Sequence, residues 1–508
     1  MCSRDFQNLQ KIIHMVKYFR KHKILFFLLF LICFGLFLRF YNLPNLYIFG
    51  FDEEYQATYA MTLVNHFHRI WIGVSASFLD FYLGPYFTYF TSFWLWISKG
   101  DPILTAYVAG LVGVITSVVI FFVGQKFFNL TTGIIASLLY AGLPLFVFYD
   151  QKYWNPMFVQ LIVLLMFASL LLIKKSPWWW LLFTAMVGAI FETDLAPLPL
   201  ALIGVWLFIK GKYLLNKKLV ISCLLVFLFF YWPLIVFDYY HNWSNLTVLG
   251  RYSQQAKKAG VKFDPMSKFS SVADTMGRFW YLEPGRPNAD EISIFCNSQR
   301  TNPAPWITGI SIGLLLFFLA KAIRNKEAPY RLLGFFLLVS LAFYILYSGG
   351  SFEYYLHGFT TLFVFVPAVL ISQSRKKLRY LSLTIVILAL VFGFNTVINS
   401  SDKFSLGQKK KLISQVMEKI GSSSFTIDQT GYCHTYDGWR YLFKAYGRTP
   451  DRSFTDESFA WLYPKEVKRD PVDYNVILSE NGAQSDKDLS EYIKINAGGF
   501  SAYIKKIN

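Results

Sequence analysis

The chain has 508 residues, 55% hydrophobic and 19% aromatic with only 16% charged, and its mean hydropathy is positive. That leaves too little charge to cover the surface of a soluble protein of this length, so a soluble globular enzyme is excluded and a membrane protein is expected. The formal charge of +18 falls in short clusters between apolar runs, such as Lys17 to Lys23, Lys210 to Lys218, Lys321 to Arg331 and Arg375 to Arg379, the positive-inside pattern of cytoplasmic loops, with no support for nucleic-acid binding.

In chain order, the first apolar run, residues 23–40, lacks a small-residue cleavage site and reads as a retained signal anchor with the N-terminus cytoplasmic. Further apolar runs occupy 78–97, 103–123, 130–149, 156–173, 177–192, 194–209, 218–237, 304–322, 330–347, 355–373 and 377–397. They are apolar on every side, and several approach the ~20 residues that a crossing needs. The expected fold is an all-α polytopic membrane domain over residues 1–397, with about 11–13 transmembrane helices and outer loops at 41–77 and 238–303. With every basic cluster inside, all runs from 103 onward alternate across the bilayer. The run 78–97 does not fit as a simple crossing. Its Asp80, Gly84 and Pro85 make it a juxtamembrane or re-entrant element, unless an extra crossing goes unseen.

Residues 398–508 are expected to form a small α/β domain outside the membrane. Short β-type runs (Phe425 to Ile427, Val476 to Leu478, Ala502 to Ile504) alternate there with helical patterns such as Asp437 to Tyr446. No internal repeat is present, which weakens an inverted-repeat transporter.

This topology collects the polar turns on the outer face. Phe51-Asp52-Glu53-Glu54-Tyr55-Gln56 follows the first crossing. On a helix, Asp52, Tyr55, Gln56 and Tyr59 share one face, with the carboxylates near the start, where the helix dipole favours negative charge. Such a carboxylate suits a general base that takes a proton from an acceptor hydroxyl. Asp150, Lys152, Tyr153 and Asn155 lie in an aromatic turn where Lys152 is a candidate for a lipid phosphate, although an interfacial aromatic belt explains the same pattern. Glu192 and Asp194 form an acidic turn between apolar runs, costly unless it faces a cavity or a partner. Tyr354, Tyr355 and His357 stand at the head of another run as candidate substrate contacts, against the ordinary structural role of an interfacial His.

No nucleotide-binding, serine-hydrolase or metalloprotease motif is present. The five cysteines show no metal-ligand spacing; Cys296 and Cys433 are candidates to pair outside. Asn129, Asn242 and Asn245 fit the N-glycosylation pattern, a short and frequent one.

Several pieces occur in a telling order: Phe51-Asp52-Glu53, Gly84-Pro85-Tyr86 before an aromatic run, Asp101-Pro102, Lys152 to Pro156, and Arg440 to Phe443 with Tyr446-Gly447. In these the chain resembles the bacterial glycosyltransferase family 39 proteins, relatives of protein O-mannosyltransferases and lipid A aminoarabinose transferases. The resemblance implies the GT-C membrane fold, a polyprenyl-phosphate-linked sugar as donor, and inversion at the anomeric carbon. It assigns the catalytic base to Asp52, with Glu53 supporting it or holding the acceptor. Asn155 occupies a position that is acidic in some relatives, and Asp194 stands where many carry His. No cofactor or tightly bound metal is implied, although three outer acids leave room for a divalent cation. The acceptor is not indicated. The rival readings are a lipid-linked-sugar flippase or transporter and an O-antigen-type polymerase or ligase. The first expects ionisable residues inside the crossings, where the runs here are nearly free of charge.

Overall fold

The computed structural model describes residues 22–75, 81–248, 250–251, 264–282, 303–347, 352–430, 437–480 and 487–507. Cys296, Cys433 and Asp80 lie outside the described residues.

Helix α1 (Lys23–Phe40) leads into a segment built from a 3-10 turn (Leu43–Asn45), α2 (Phe51–Asn65) and α3 (Tyr86–Ile97). The chain then runs through α4 (Ile103–Phe127), α5 (Leu130–Gly142), α6 (Pro144–Asp150) and a 3-10 turn at Asn155–Phe158 that opens α7 (Val159–Leu172). Next come α8 (Trp179–Thr193), α9 (Leu198–Lys210), α10 (Lys217–Tyr240) and α11 (Pro265–Arg278). The membrane portion closes with α12 (Pro305–Arg324), α13 (Ala328–Leu346), a turn at Glu353–Leu356, α14 (His357–Phe363), α15 (Phe365–Ser372) and α16 (Lys376–Asn399).

Among the described residues, eight helical segments are long and apolar enough to cross a membrane. The pair α5 and α6, bent by 61°, makes up to nine, and α8 and α9 are shorter apolar helices. The chain is a multi-pass membrane protein. The run 78–97 resolves into α3, whose 12 residues span about 18 Å, well short of a bilayer core of about 30 Å. α3 packs along α2 instead: Gln56 Nε2 donates to Thr88 Oγ1 at 3.3 Å and Thr91 Oγ1 at 3.0 Å. Gln56 and Tyr59, expected on a polar face of α2, are therefore buried.

The bend between α5 and α6 falls at Leu143-Pro144, where proline removes a helical N–H. It leaves carbonyls for Arg39, at the end of α1, whose guanidinium is fully buried. Nη1 donates to Ala141 O at 3.0 Å and Nη2 to Tyr140 O at 3.3 Å. Nε and Nη2 both reach Asp150 Oδ2, at 2.9 and 2.7 Å, while Tyr140 Oη donates to Oδ1 at 3.0 Å. Gly113 of α4 makes room, because a Cβ there would collide with the Asp150 carboxylate and with Arg39.

After α16, α17 (Leu406–Ile420), α18 (Trp439–Tyr446) and α19 (Asp456–Phe459) accompany a five-stranded sheet: β1 (Phe425–Thr430), β2 (Arg452–Ser453), β3 (Tyr474–Glu480), β4 (Ile493–Ala497) and β5 (Phe500–Lys506). The strand order is β2-β1-β3-β5-β4. β1 runs parallel to β2 and β3, while β5 is antiparallel to β3 and β4. Alternation puts Ile427, Val476 and Ile504 in register on one face. All three are buried, as are Leu412, Ile413 and Val416 of α17, in one hydrophobic core.

Candidate active site

The site begins at the first turn of α2. Gly50 is its N-cap, and Glu53 Oε2 accepts from Gly50 N at 3.0 Å, closing a capping-box contact that fixes where the helix starts. Of the three acids in this turn, Glu53 and Glu54 are buried and Asp52 is exposed. Glu54 Oε1 accepts from Tyr441 N at 2.8 Å. Burial pushes its carboxyl up to about 7, against the opposing pull of that N–H.

Glu53 also faces the aromatic turn after α6. Its Oε1 lies 3.9 Å from Lys152 Nζ, which sits 3.9 Å above the Trp154 ring. Trp154 meets the Tyr354 ring edge-on at 4.7 Å and lies parallel to Tyr149 at 6.5 Å. Tyr149 Oη donates to Glu353 Oε2 at 2.8 Å, and Glu353 Oε1 is 2.9 Å from Arg278 Nε at the end of α11. His357 packs edge-on against Tyr149 at 4.2 Å, its Nδ1 3.4 Å from Gln160 Nε2. Tyr355 meets Tyr354 at 4.5 Å. The result is a row of charges and aromatic rings from Glu53 through Lys152, Trp154 and Tyr149 to Glu353 and Arg278. A narrow cavity beneath α2, lined by Glu53, Gln56, Thr91 and Tyr153, has room for about one water.

The structure thus brings together Glu53, Lys152, Tyr354, Tyr355 and His357, and leaves Asp52 exposed on the same first turn of α2 as Glu53. It gives the other candidates separate tasks. Asp150 is taken up by Arg39 and Tyr140. Tyr153 ties the turn to α3 through a 2.8 Å bond to Thr91 and a stacked contact with Phe87, and Asn155 opens the turn that follows. Glu192 Oε2 accepts from Tyr86 N at 2.8 Å, capping α3. Asp194 Oδ1 accepts from Ala196 N at 2.7 Å within its own turn. Asn245, a glycosylation candidate, is buried and bonds both backbone groups of Tyr82 at 2.8 Å.

Of the two further charged members of the row, Glu353 heads the motif that supplied Tyr354, Tyr355 and His357 but was given no role of its own, and Arg278 was missed. The available signal was the pattern of α11, where Lys268, Val272, Thr275 and Met276 lie on one buried face with Arg278, placing cations where an amphipathic helix should be apolar. Among the described residues, no group of three or more His, Cys, Asp or Glu side chains is placed to hold a metal ion.

Solved structures provide the comparison. The chain matches ArnT from Cupriavidus metallidurans bound to undecaprenyl phosphate with a TM-score of 0.59 at 10% identity, over 95% of this chain and 97% of that one. The fold is GT-C. The apo state of the same ArnT matches with a TM-score of 0.55 at 10% identity, over 96% and 98% of the two chains. The apo oligosaccharyltransferase from Archaeoglobus fulgidus matches at 0.50 and 13% identity, over 90% and 70%. No protein-family model and no curated protein matches the sequence. The GT-C likeness therefore rests on three-dimensional shape across nearly the whole chain.

Proposed function

We propose that this protein is a membrane glycosyltransferase that moves a hexose or related sugar, with mannose-like sugars the first candidates, from a polyprenyl-phosphate donor to a hydroxyl acceptor with inversion. The observation that carries this reading is the shared fold with an ArnT bound to undecaprenyl phosphate, over 95% of this chain, together with an exposed Asp52 on the helix turn whose next residue, Glu53, faces the buried Lys152. In this reading the N-terminus is cytoplasmic, residues 398–508 form an extracytoplasmic domain, and the reaction takes place at the outer leaflet of the cell membrane.

Asp52 acts as general base. It takes the proton of the acceptor hydroxyl, whose oxygen bonds to the anomeric carbon as the bond from that carbon to the phosphate oxygen breaks. The lipid phosphate leaves with the electron pair, and Lys152 and Arg278 offset its charge. Glu53 has a positioning role, since one oxygen holds the Gly50 turn and the other faces Lys152. The Trp154 and Tyr354 rings supply apolar faces for a sugar ring.

The test uses purified protein in lipid, offered polyprenyl-phosphate mannose, glucose and aminoarabinose with a membrane extract as acceptor source. Loss of a positioned base should lower turnover in Asp52→Asn by about 10²–10⁴-fold. Full activity in a folded Asp52→Asn protein rejects the base, and no consumption of any donor by wild type rejects the transferase.

A further inference from the structure

Outside the row of charges, the most unusual buried group is Lys409 in α17. Its side chain is fully buried, and Nζ donates to Phe49 O at 2.7 Å and to Asp437 O. The ammonium lies 4.8 Å from the Trp439 ring centroid and 5.3 Å from that of Phe500. Burying an ammonium costs several kcal/mol unless its protons are satisfied, and an apolar side chain of similar length would fill the space without that cost. What an apolar side chain cannot supply is a hydrogen bond to the carbonyl of Phe49, just ahead of the Asp52 turn.

The same stretch is gripped from other directions. Tyr441 N holds Glu54 at 2.8 Å, and Leu406 N donates to Tyr47 O at 2.7 Å. Gly438, with φ +102°, presses on Phe49 so closely that a Cβ there would lie 2.7 Å from the ring and 2.9 Å from the carbonyl oxygen. Residues beyond 400 thus grip this stretch at Tyr47, Phe49 and Glu54, in addition to its own capping box. We propose that Lys409 is a positioning residue for Asp52: it ties the C-terminal sheet and its helices to the Phe49 carbonyl, which makes that unit part of the active-site machinery. The inference rests on Asp52 being the base.

Full-length protein in lipid nanodiscs, as wild type, Lys409→Met and Gly438→Ala, tests it with two readouts. One is amide hydrogen exchange over residues 49–56; the other is kcat and KM for the polyprenyl-phosphate sugar, measured separately. Exchange over the turn should accelerate about tenfold as local opening becomes easier. Because a misplacement of ~1 Å can cost about 100-fold, kcat should fall by that order while donor KM stays within about twofold. Gly438→Ala attacks the contact from its other side and carries the test if Lys409→Met does not fold. Unchanged exchange in both variants overturns the proposal, and so does faster exchange with full kcat. A wild type that consumes no donor removes the transferase reading and this proposal with it, and is recognised without either variant.

Discussion

Lys152 and Arg278 differ in what they can offer a phosphate. Arg278 meets Glu353 at 2.9 Å, and Lys152 stands 3.9 Å from the Glu53 carboxylate and over the Trp154 ring face. Lys152→Met keeps the stem and removes the charge. A charge-assisted bond worth about 1.5–3 kcal/mol would be lost, so donor KM should rise roughly 10–100-fold in steady-state assays with a smaller change in kcat. A second expectation concerns pH. Burial raises Glu54 and Glu480 to about 7 and lowers Lys409 to about 7. The charges facing Lys409 are Asp437, Glu54, Glu53 and Glu480, with Arg440 also acting on Glu54 and Lys403 on Glu480. For Glu54 the folded state binds its proton more tightly than the unfolded chain does. Its stabilising contribution is full below the unfolded value of 4.5 and disappears as pH rises through about 7. Glu54→Gln lacks this dependence, so its melting temperature relative to wild type should climb between those limits and level off above them. At this scale the sequence was informative where the chemistry is local: the acids at a helix start, and Lys152 beside Trp154. It was silent on Arg278 with Glu353 and on Arg39 with Asp150, because each pair joins distant segments and only packing selects the partner.

Among the elements, the apolar runs announced the membrane helices, because in lipid a single apolar segment satisfies its own backbone groups only as a helix. The 78–97 run stayed ambiguous for a physical reason: α3 is as aromatic as a crossing, and its shortness shows only once Gly84 and Pro85 are seen to precede the helix. In the tail, β1, β3 and β5 were visible as short β-type runs that prove largely buried, whereas β4, mostly exposed, carries no such run. The junction of α1, α4, α5 and α6 yields a stability prediction. Arg39→Met leaves the Asp150 carboxylate buried without its guanidinium, a change worth about 3–5 kcal/mol. Its melting temperature in detergent should fall, and Gly113→Val, which forces a side chain into the same ion pair, should lower it too. If both variants melt with wild type, the ion pair does not hold these helices together.

The whole molecule can be tested by labelling in intact cells. A single cysteine at exposed Lys494, in β4, should react with an impermeant maleimide. One at exposed Lys376, at the start of α16, should react only after permeabilisation. Reversed labelling would invert the proposed topology. The long-range contacts have a further consequence, for the order in which the molecule is made. Lys409 meets Phe49 across 360 residues, and Tyr441 meets Glu54 across 387. Ribosomes add roughly 5–20 residues per second, so the turn bearing Asp52 would emerge tens of seconds before the residues that grip it. Through that interval the nascent chain would have its membrane helices but not the contacts that hold the proposed catalytic turn. If Asp52 is the base, competence would come only once Lys409 and Tyr441 have been made and have docked, so a chain stalled before them would be an inert helix bundle.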